Sequence, residues 1–548
     1  MAYGDLLLIF IELAGAAGLY LLAGYAERAL SPKWRLFYVL PLIICIAVCA
    51  VTGVEISLVG VYAGAVILLA GFLREDRKTR RVASAAAGVL TAVSIVVCLF
   101  NPGYRAVDYV KDFEEGFRAM QEHYCLAEYK DIDWDALYDE YYPQFEEADR
   151  KHDAVENFIL WQQLCAEFHD GHVAYSADAD VTEQAYARMY GNDYGLSLMT
   201  LSDGQTVAVN VEPDSVLTDA GIHNGTVITA WDGRAIEEVA EETDMPLSFC
   251  PYNAVRENDA FYRALPVAGV GADSVTISYL DDSGAEKSIE APKLGAYADR
   301  LQATMRTICG GIEGSNLTWS SPNEDTACLR ISGMMYDSES YESGDHSEMK
   351  NELEEKLIEL RQSGVKNLVL DLRNNTGGSP AFILAILELL APAGEHTYIC
   401  DGVWDETEKL YQVDSGTGKY VTGAEITYTG ENLWADGEIV ILVNSGTISA
   451  GDHFTGLMGE FEHVTVMGFN ATNGSGQGIR GISLAGGMLQ FSSVPVLDAE
   501  GDIFVDTDAS GISKVPLDIK VPFDGEAVQV LFDEGGDYIL DYALDYLE

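Results

Sequence analysis

Positive charge is scarce in this 548-residue sequence: 33 Lys and Arg stand against 87 Asp and Glu, for a formal net charge of −54. That shortage excludes a phosphate-neutralising surface, so no nucleic acid is expected as a partner. The acidity is that of a solvated surface and names no substrate. Metal and redox spacings are missing too. Of nine cysteines, Cys45, Cys49 and Cys98 fall in apolar runs, while Cys125, Cys165, Cys250, Cys309, Cys328 and Cys400 form neither a zinc ligand set nor a redox pair. Their even number outside the apolar runs permits disulfides and equally permits buried thiols. The glycine-rich stretch Gly474-Ser475-Gly476-Gln477-Gly478 has no phosphate-loop spacing and reads as a turn. No metal and no organic cofactor is implied.

Charge of either sign is thin in the first hundred residues, which hold eight Lys/Arg and six Asp/Glu. Apolar runs at about Leu6 to Tyr25, Phe37 to Val54, Leu58 to Leu73 and Val82 to Phe100 each approach the ~20 residues that cross a bilayer. The loop with Arg28, Lys33 and Arg35 and the loop with Arg74, Arg77, Lys78, Arg80 and Arg81 are basic; the middle one carries Glu55. Four spans with both basic loops cytoplasmic put everything after Asn101 outside a cell membrane. No basic segment precedes the first run, so a cleaved signal peptide fits badly. Glu12 is the one clearly intramembrane acid, a functional candidate on that ground.

The length predicts several domains. After a four-span segment at 1–100, residues 101–190 read as a helical bundle, with Val110, Phe113, Phe117, Met120 and Tyr124 at helical intervals. Residues 191–293 shift to short alternating runs cut by glycines, such as Tyr194-Gly195-Leu196-Ser197-Leu198 and Val207-Ala208-Val209, the texture of a small β-rich module. Its order resembles a PDZ domain, whose Gly-Leu loop precedes a strand edge that pairs with extended peptides; that resemblance assigns peptide binding to Tyr194, Gly195 and Leu196. Residues 294–548 alternate strands and helices as an α/β sheet, including strands over 366–373 and 438–444 and a helix over 380–390.

Three segments carry candidate chemistry. The buried strand ending at Asn444 runs through a tight turn to Ser449-Ala450-Gly451-Asp452 at a helix start, where backbone N–H groups and the dipole can stabilise an oxyanion. A helix-capping serine fits that segment as well. The strand ending at Asp371-Leu372-Arg373-Asn374-Asn375-Thr376-Gly377-Gly378 closes on paired glycines that allow close backbone approach. Phe168-His169-Asp170-Gly171-His172-Val173 sets a histidine beside a turn.

In order and spacing over roughly residues 105–522, these segments resemble the C-terminal processing peptidases and tricorn-like proteases; Asp131-Ile132-Asp133-Trp134 resembles that family's N-terminal bundle. The resemblance implies a crotonase-like α/β core and a serine peptidase acting on polypeptides, with Ser449 as nucleophile and Asp452 in the acidic place three residues on. Gly378 or Gly377 and Ala450 would supply the oxyanion N–H groups. One branch uses a lysine as base, and Ser475 occupies its place here. The other uses a histidine, which maps to His172, and a downstream glutamate, which maps to Asp508. Asp452 and Asp508 are each one methylene shorter than the family glutamate, and Gly171 stands where tricorn-like relatives carry serine. His169 is a nearby competitor whose helical context makes it a bundle residue, and His453, in the first turn of the helix after Ser449, reads as a surface or packing residue and not the base. A protein that keeps this fold to bind peptides without turnover is the alternative.

Overall fold

In the computed structural model, residues 107–243, 254–310, 316–407 and 410–548 are described. The four expected spans, Glu12 and Cys250 lie outside them. Among the described residues, no helix is long and apolar enough to cross a membrane. Residues Phe113–Phe145 with Ala154–Glu548 form one compact unit, which holds all the candidate catalytic residues.

Helices Tyr109–His123, Trp134–Lys151 and Ala154–Ala166 form where the aromatic periodicity predicts them. The stripe is core: Phe113, Phe117, Met120 and Tyr124 are buried, and Tyr124 meets Phe168 edge-on at 5.1 Å. Beyond the bundle, the hairpin Ser197–Thr200 with Thr206–Val209 and a four-stranded antiparallel sheet ending in Ser274–Leu280 and Glu286–Pro292 make up the β-rich region. This region is not a separate bead. Trp231 and Ile277 share one hydrophobic cluster with Val369, Val440 and Met467 of the α/β sheet. The β-rich region and the α/β sheet therefore share one core.

The α/β sheet has six strands in the order Leu317–Ser320, Thr326–Ile331, Asn367–Asp371, Ile439–Leu442, Val464–Gly468 and Ile519–Lys520. The first pairs antiparallel and the rest parallel. Strands Asn367–Asp371 and Ile439–Leu442 are buried almost throughout, which is why they read as unbroken apolar runs. Their carboxyl ends lie side by side and deliver the Leu372–Gly378 and Val443–Ser449 segments to one place, where open parallel sheets put their sites. Cys125, Cys165, Cys309, Cys328 and Cys400 are free thiols.

Candidate active site

Ser449 precedes the helix Ala450–Met458 and sits at φ +63°, ψ −121°, a left-handed conformation that L-residues adopt at a cost of about 1–3 kcal/mol. The surroundings impose it. Thr447 donates its N–H to the Asn444 carbonyl and its hydroxyl to that of Leu372, each at 2.8 Å. Ile448 N–H bonds the Asn375 carbonyl at 2.9 Å, and Ser449 N–H bonds the Ser475 carbonyl at 2.8 Å. Although Ser449 holds the N-cap position, its side chain makes no capping hydrogen bond. The capping reading therefore fails, and the half-buried hydroxyl is left for other use.

The segment after Asp371 is fastened by Arg373, buried and ion-paired to Asp371 and Asp537 at 2.7 Å each. It then turns through Gly377 at φ +79° against the serine. A Cβ on Gly377 would meet Ser449 Cβ at 2.6 Å and the Ala450 nitrogen at 3.0 Å, so only glycine allows this approach. The two glycines differ in availability. Gly377 N–H donates to Asn375 Oδ1 at 2.9 Å, whereas no acceptor among the described residues takes the N–H of Gly378 or Ala450. Gly377 N–H is thus spent within its own turn, while those of Gly378 and Ala450 stay unengaged among the described residues.

Ser475 is the hub of the other wall. Fully buried, it accepts Ser449 N–H on its carbonyl and Gly171 N–H on Oγ at 2.8 Å, tying the Ser449 turn to the His172 turn. Asp452, also fully buried, accepts the N–H groups of Gly474 and Ser475 at 3.2 and 3.3 Å. Burial pushes its pKa up to about 7 against the pull of those donors. Asp452 thus braces the 474–475 backbone behind Ser449.

His172 is buried, and desolvation lowers its pKa, opposed by the Asp170 carboxylate and the Gln477 backbone carbonyl beside the ring. Its Nδ1 has no partner among the described residues. Asp170 Oδ1 accepts the His172 N–H at 2.8 Å, and Tyr124 hydroxyl donates to Oδ2 at 3.1 Å. The competing histidines are otherwise engaged. His453 has Nδ1 on the Tyr398 hydroxyl at 3.0 Å and Nε2 on the Gly476 carbonyl at 2.8 Å, with its pKa lowered by burial to about 4. It is an interior residue, not a surface one. His169 ends the bundle at φ +44°, and its carbonyl accepts Lys130 Nζ at 2.9 Å.

Asp508 is not positioned as its motif mapping implied. It is exposed and accepts the N–H and hydroxyl of Ser510, which lower its pKa, and none of the His172 contacts among the described residues involves it. The inward acid is Asp506, two residues earlier. Val505 at φ +58° swings the backbone inward, an outlier for a β-branched residue. Asp506 Oδ2 then accepts Gly476 N–H and Gln477 Nε2, each at 2.6 Å. Its Oδ1 lacks a partner, and burial together with the Asp170 charge raises its pKa. Lys130, nearly buried, closes this end by donating to the Thr507 carbonyl at 2.8 Å.

The loop expected to bind peptide is occupied from within. Tyr194 and Leu196 are buried, Gly195 donates its N–H to Asp193 Oδ1 at 2.8 Å, and its carbonyl accepts Glu212 N–H at 2.7 Å. Among the described residues, no group of three or more His, Cys, Asp or Glu is arranged to hold a metal ion.

Comparison with known proteins agrees with this geometry. Residues 325–509 match the model of peptidase family S41, and residues 106–157 match the tricorn protease C1 domain. The Probable CtpA-like serine protease of Staphylococcus saprophyticus is 33% identical over 117 residues, 21% of this chain and 21% of the relative. That of Staphylococcus epidermidis is 30% identical over 159 residues, 28% of each. These alignments therefore span under a third of the curated relatives' length. Two structures of mature CPAF share the fold, with TM-scores of 0.50 and 0.51 at 14% and 13% identity, covering 82% and 81% of this chain and 98% and 96% of theirs. Residues 325–509, which hold the Ser449 turn and the paired glycines, thus match peptidase family S41, and residues 106–157 match the tricorn C1 domain, a likeness to the C-terminal processing and tricorn-like serine peptidases.

Proposed function

We propose that this chain is a membrane-anchored serine endopeptidase that cleaves or trims polypeptides on the outer side of the cell membrane. The observation that carries the reading is Ser449. Its strained backbone presents an uncapped hydroxyl beside two unengaged N–H groups, those of Ala450 and Gly378. A serine hydroxyl at its free pKa is a poor nucleophile and needs a base. His172, held neutral by burial, takes the proton as Ser449 Oγ attacks the scissile carbonyl, and returns it to the leaving amine. Asp170 and the Gln477 carbonyl favour the imidazolium that forms, and the Gly378 and Ala450 N–H groups receive the oxyanion. Asp506 and Asp452 hold the backbone that carries these groups; Asp508 takes no part.

Membrane anchoring rests on the four apolar runs and their basic loops. The peptide-binding reading of the β-rich region rests on its sequence order. The test is hydrolysis of an unfolded polypeptide such as casein by the full chain in detergent, against Ser449→Ala. Cleavage by wild type alone supports the proposal. A folded wild type that cleaves nothing, yet binds peptides, supports the non-catalytic alternative.

A further inference from the structure

Helix Arg256–Tyr262 belongs to the β-rich region, yet its buried polar side chains face the turns that hold Ser449. Asn258 and Tyr262, four residues apart and so on one helix face, are both fully buried. The Tyr262 hydroxyl shares a hydrogen bond with Ser445 Oγ at 2.9 Å and accepts one from Asn470 Nδ2 at 2.9 Å. Asn470 Oδ1 accepts the Ser445 N–H at 2.8 Å, closing a three-residue ring. One turn away, Asn258 Nδ2 donates to the carbonyls of Ala471 at 3.2 Å and Thr472 at 3.0 Å.

These partners are not scattered. Ser445 opens the turn that ends at Ser449, and the 470–475 segment supplies the Ser475 carbonyl that takes the Ser449 N–H. One helix face therefore grips both halves of the frame that keeps the serine at φ +63°. Packing alone does not call for this chemistry: Phe261, next in the chain, already seats the helix apolarly against Phe469 and Phe523. Burying an amide and a phenol beside it is costly unless both are hydrogen-bonded.

We propose that Tyr262 is a positioning residue for the nucleophile, acting through Ser445 and Asn470 without touching substrate, so that the β-rich region is a working part of the active site. The proposal rests on Ser449 being the nucleophile. It is tested in the full chain with Tyr262→Phe, Ser445→Ala and the double variant, measuring the rate of fluorophosphonate labelling together with kcat and KM on a fluorogenic peptide.

Removing one hydroxyl while keeping the ring is expected to slow labelling and kcat about tenfold with KM unchanged, because small misplacements of a reacting atom cost rate and not ground-state binding. The double variant is expected to be no slower than the slower single one, since both changes break the same ring. Wild-type labelling by Tyr262→Phe, additive losses in the double variant, or a rise in KM alone overturns the proposal. If Tyr262→Phe does not fold, Ser445→Ala carries the test on the same readouts. A wild type that itself refuses the label overturns the nucleophile assignment instead.

Discussion

Replacing Gly377 with alanine probes how closely the oxyanion segment is set against the nucleophile. At φ +79° an L-residue pays about 1–2 kcal/mol for the left-handed conformation alone. The added Cβ would lie 2.6 Å from Ser449 Cβ and 3.0 Å from both Ala450 N and Ile448 O, where ordinary contact begins at 3.4 Å. Ser449 must therefore retreat by about 0.8 Å, and displacement on that scale costs on the order of 100-fold in rate. Gly364 supplies the control, with φ +96° and nothing within 4 Å of an added Cβ. Gly364→Ala carries the conformational cost without the crowding. The assay is the second-order rate constant for fluorophosphonate labelling, with a thermal melt of each variant. Gly377→Ala is expected to label about 100-fold more slowly while Gly364→Ala stays near wild type. Wild-type labelling by Gly377→Ala, or an equal loss in Gly364→Ala, refutes the reasoning.

The same geometry sets three further outcomes. Gly171→Ser would bring a Cβ to 2.3 Å from Asn473 Oδ1 and 2.6 Å from Ile448 Cδ1; labelling is expected to be lost, and its retention would show that the His172 turn can shift. Asp506→Ala strands the buried Gly476 N–H and one N–H of the Gln477 amide, whose other keeps the Phe504 carbonyl, each stranded donor costing about 1–3 kcal/mol, and should cut peptide hydrolysis sharply, whereas Asp508→Ala should change it less than about twofold. In a pH profile, the active base is neutral His172, and burial lowers its pKa below the ordinary 6.5; the acid limb of kcat/KM should therefore have its midpoint below pH 6.5, and a midpoint above it would contradict the assignment.

Much of the site is legible in the sequence because its residues are forced by local chemistry. The unbroken apolar runs before Asp371 and Asn444 require buried parallel strands, and open sheets place their polar groups just past the carboxyl ends of such strands. The paired glycines announce a close approach, although which N–H stays free depends on Asn375, a side-chain choice that spacing does not encode. Asp508 faces solvent while Asp506, after the left-handed Val505, is the buried acid, a backbone choice that the order of the motif does not encode. The separateness expected of the β-rich region fails for a similar reason. Glycine-cut alternation marks a sheet but not what covers it, and Phe261 stacked on Phe469 at 5.8 Å is a tertiary event. Lys130 gives no signal at all, since a lysine is expected in solvent and its burial rests on tertiary acceptors, the carbonyls of His169 and Thr507 and the Thr507 hydroxyl.

The central claim is that Ser449 is an activated nucleophile with His172 as its base. The most direct measurement is fluorophosphonate labelling of the full chain, with the modified residue located by peptide mass spectrometry, in wild type, Ser449→Ala and His172→Ala. A single adduct on Ser449 is expected in wild type, none in Ser449→Ala, and labelling slowed by about 100-fold or more in His172→Ala, the scale at which general-base assistance is lost. An adduct on another serine, or undiminished labelling in His172→Ala, would contradict it.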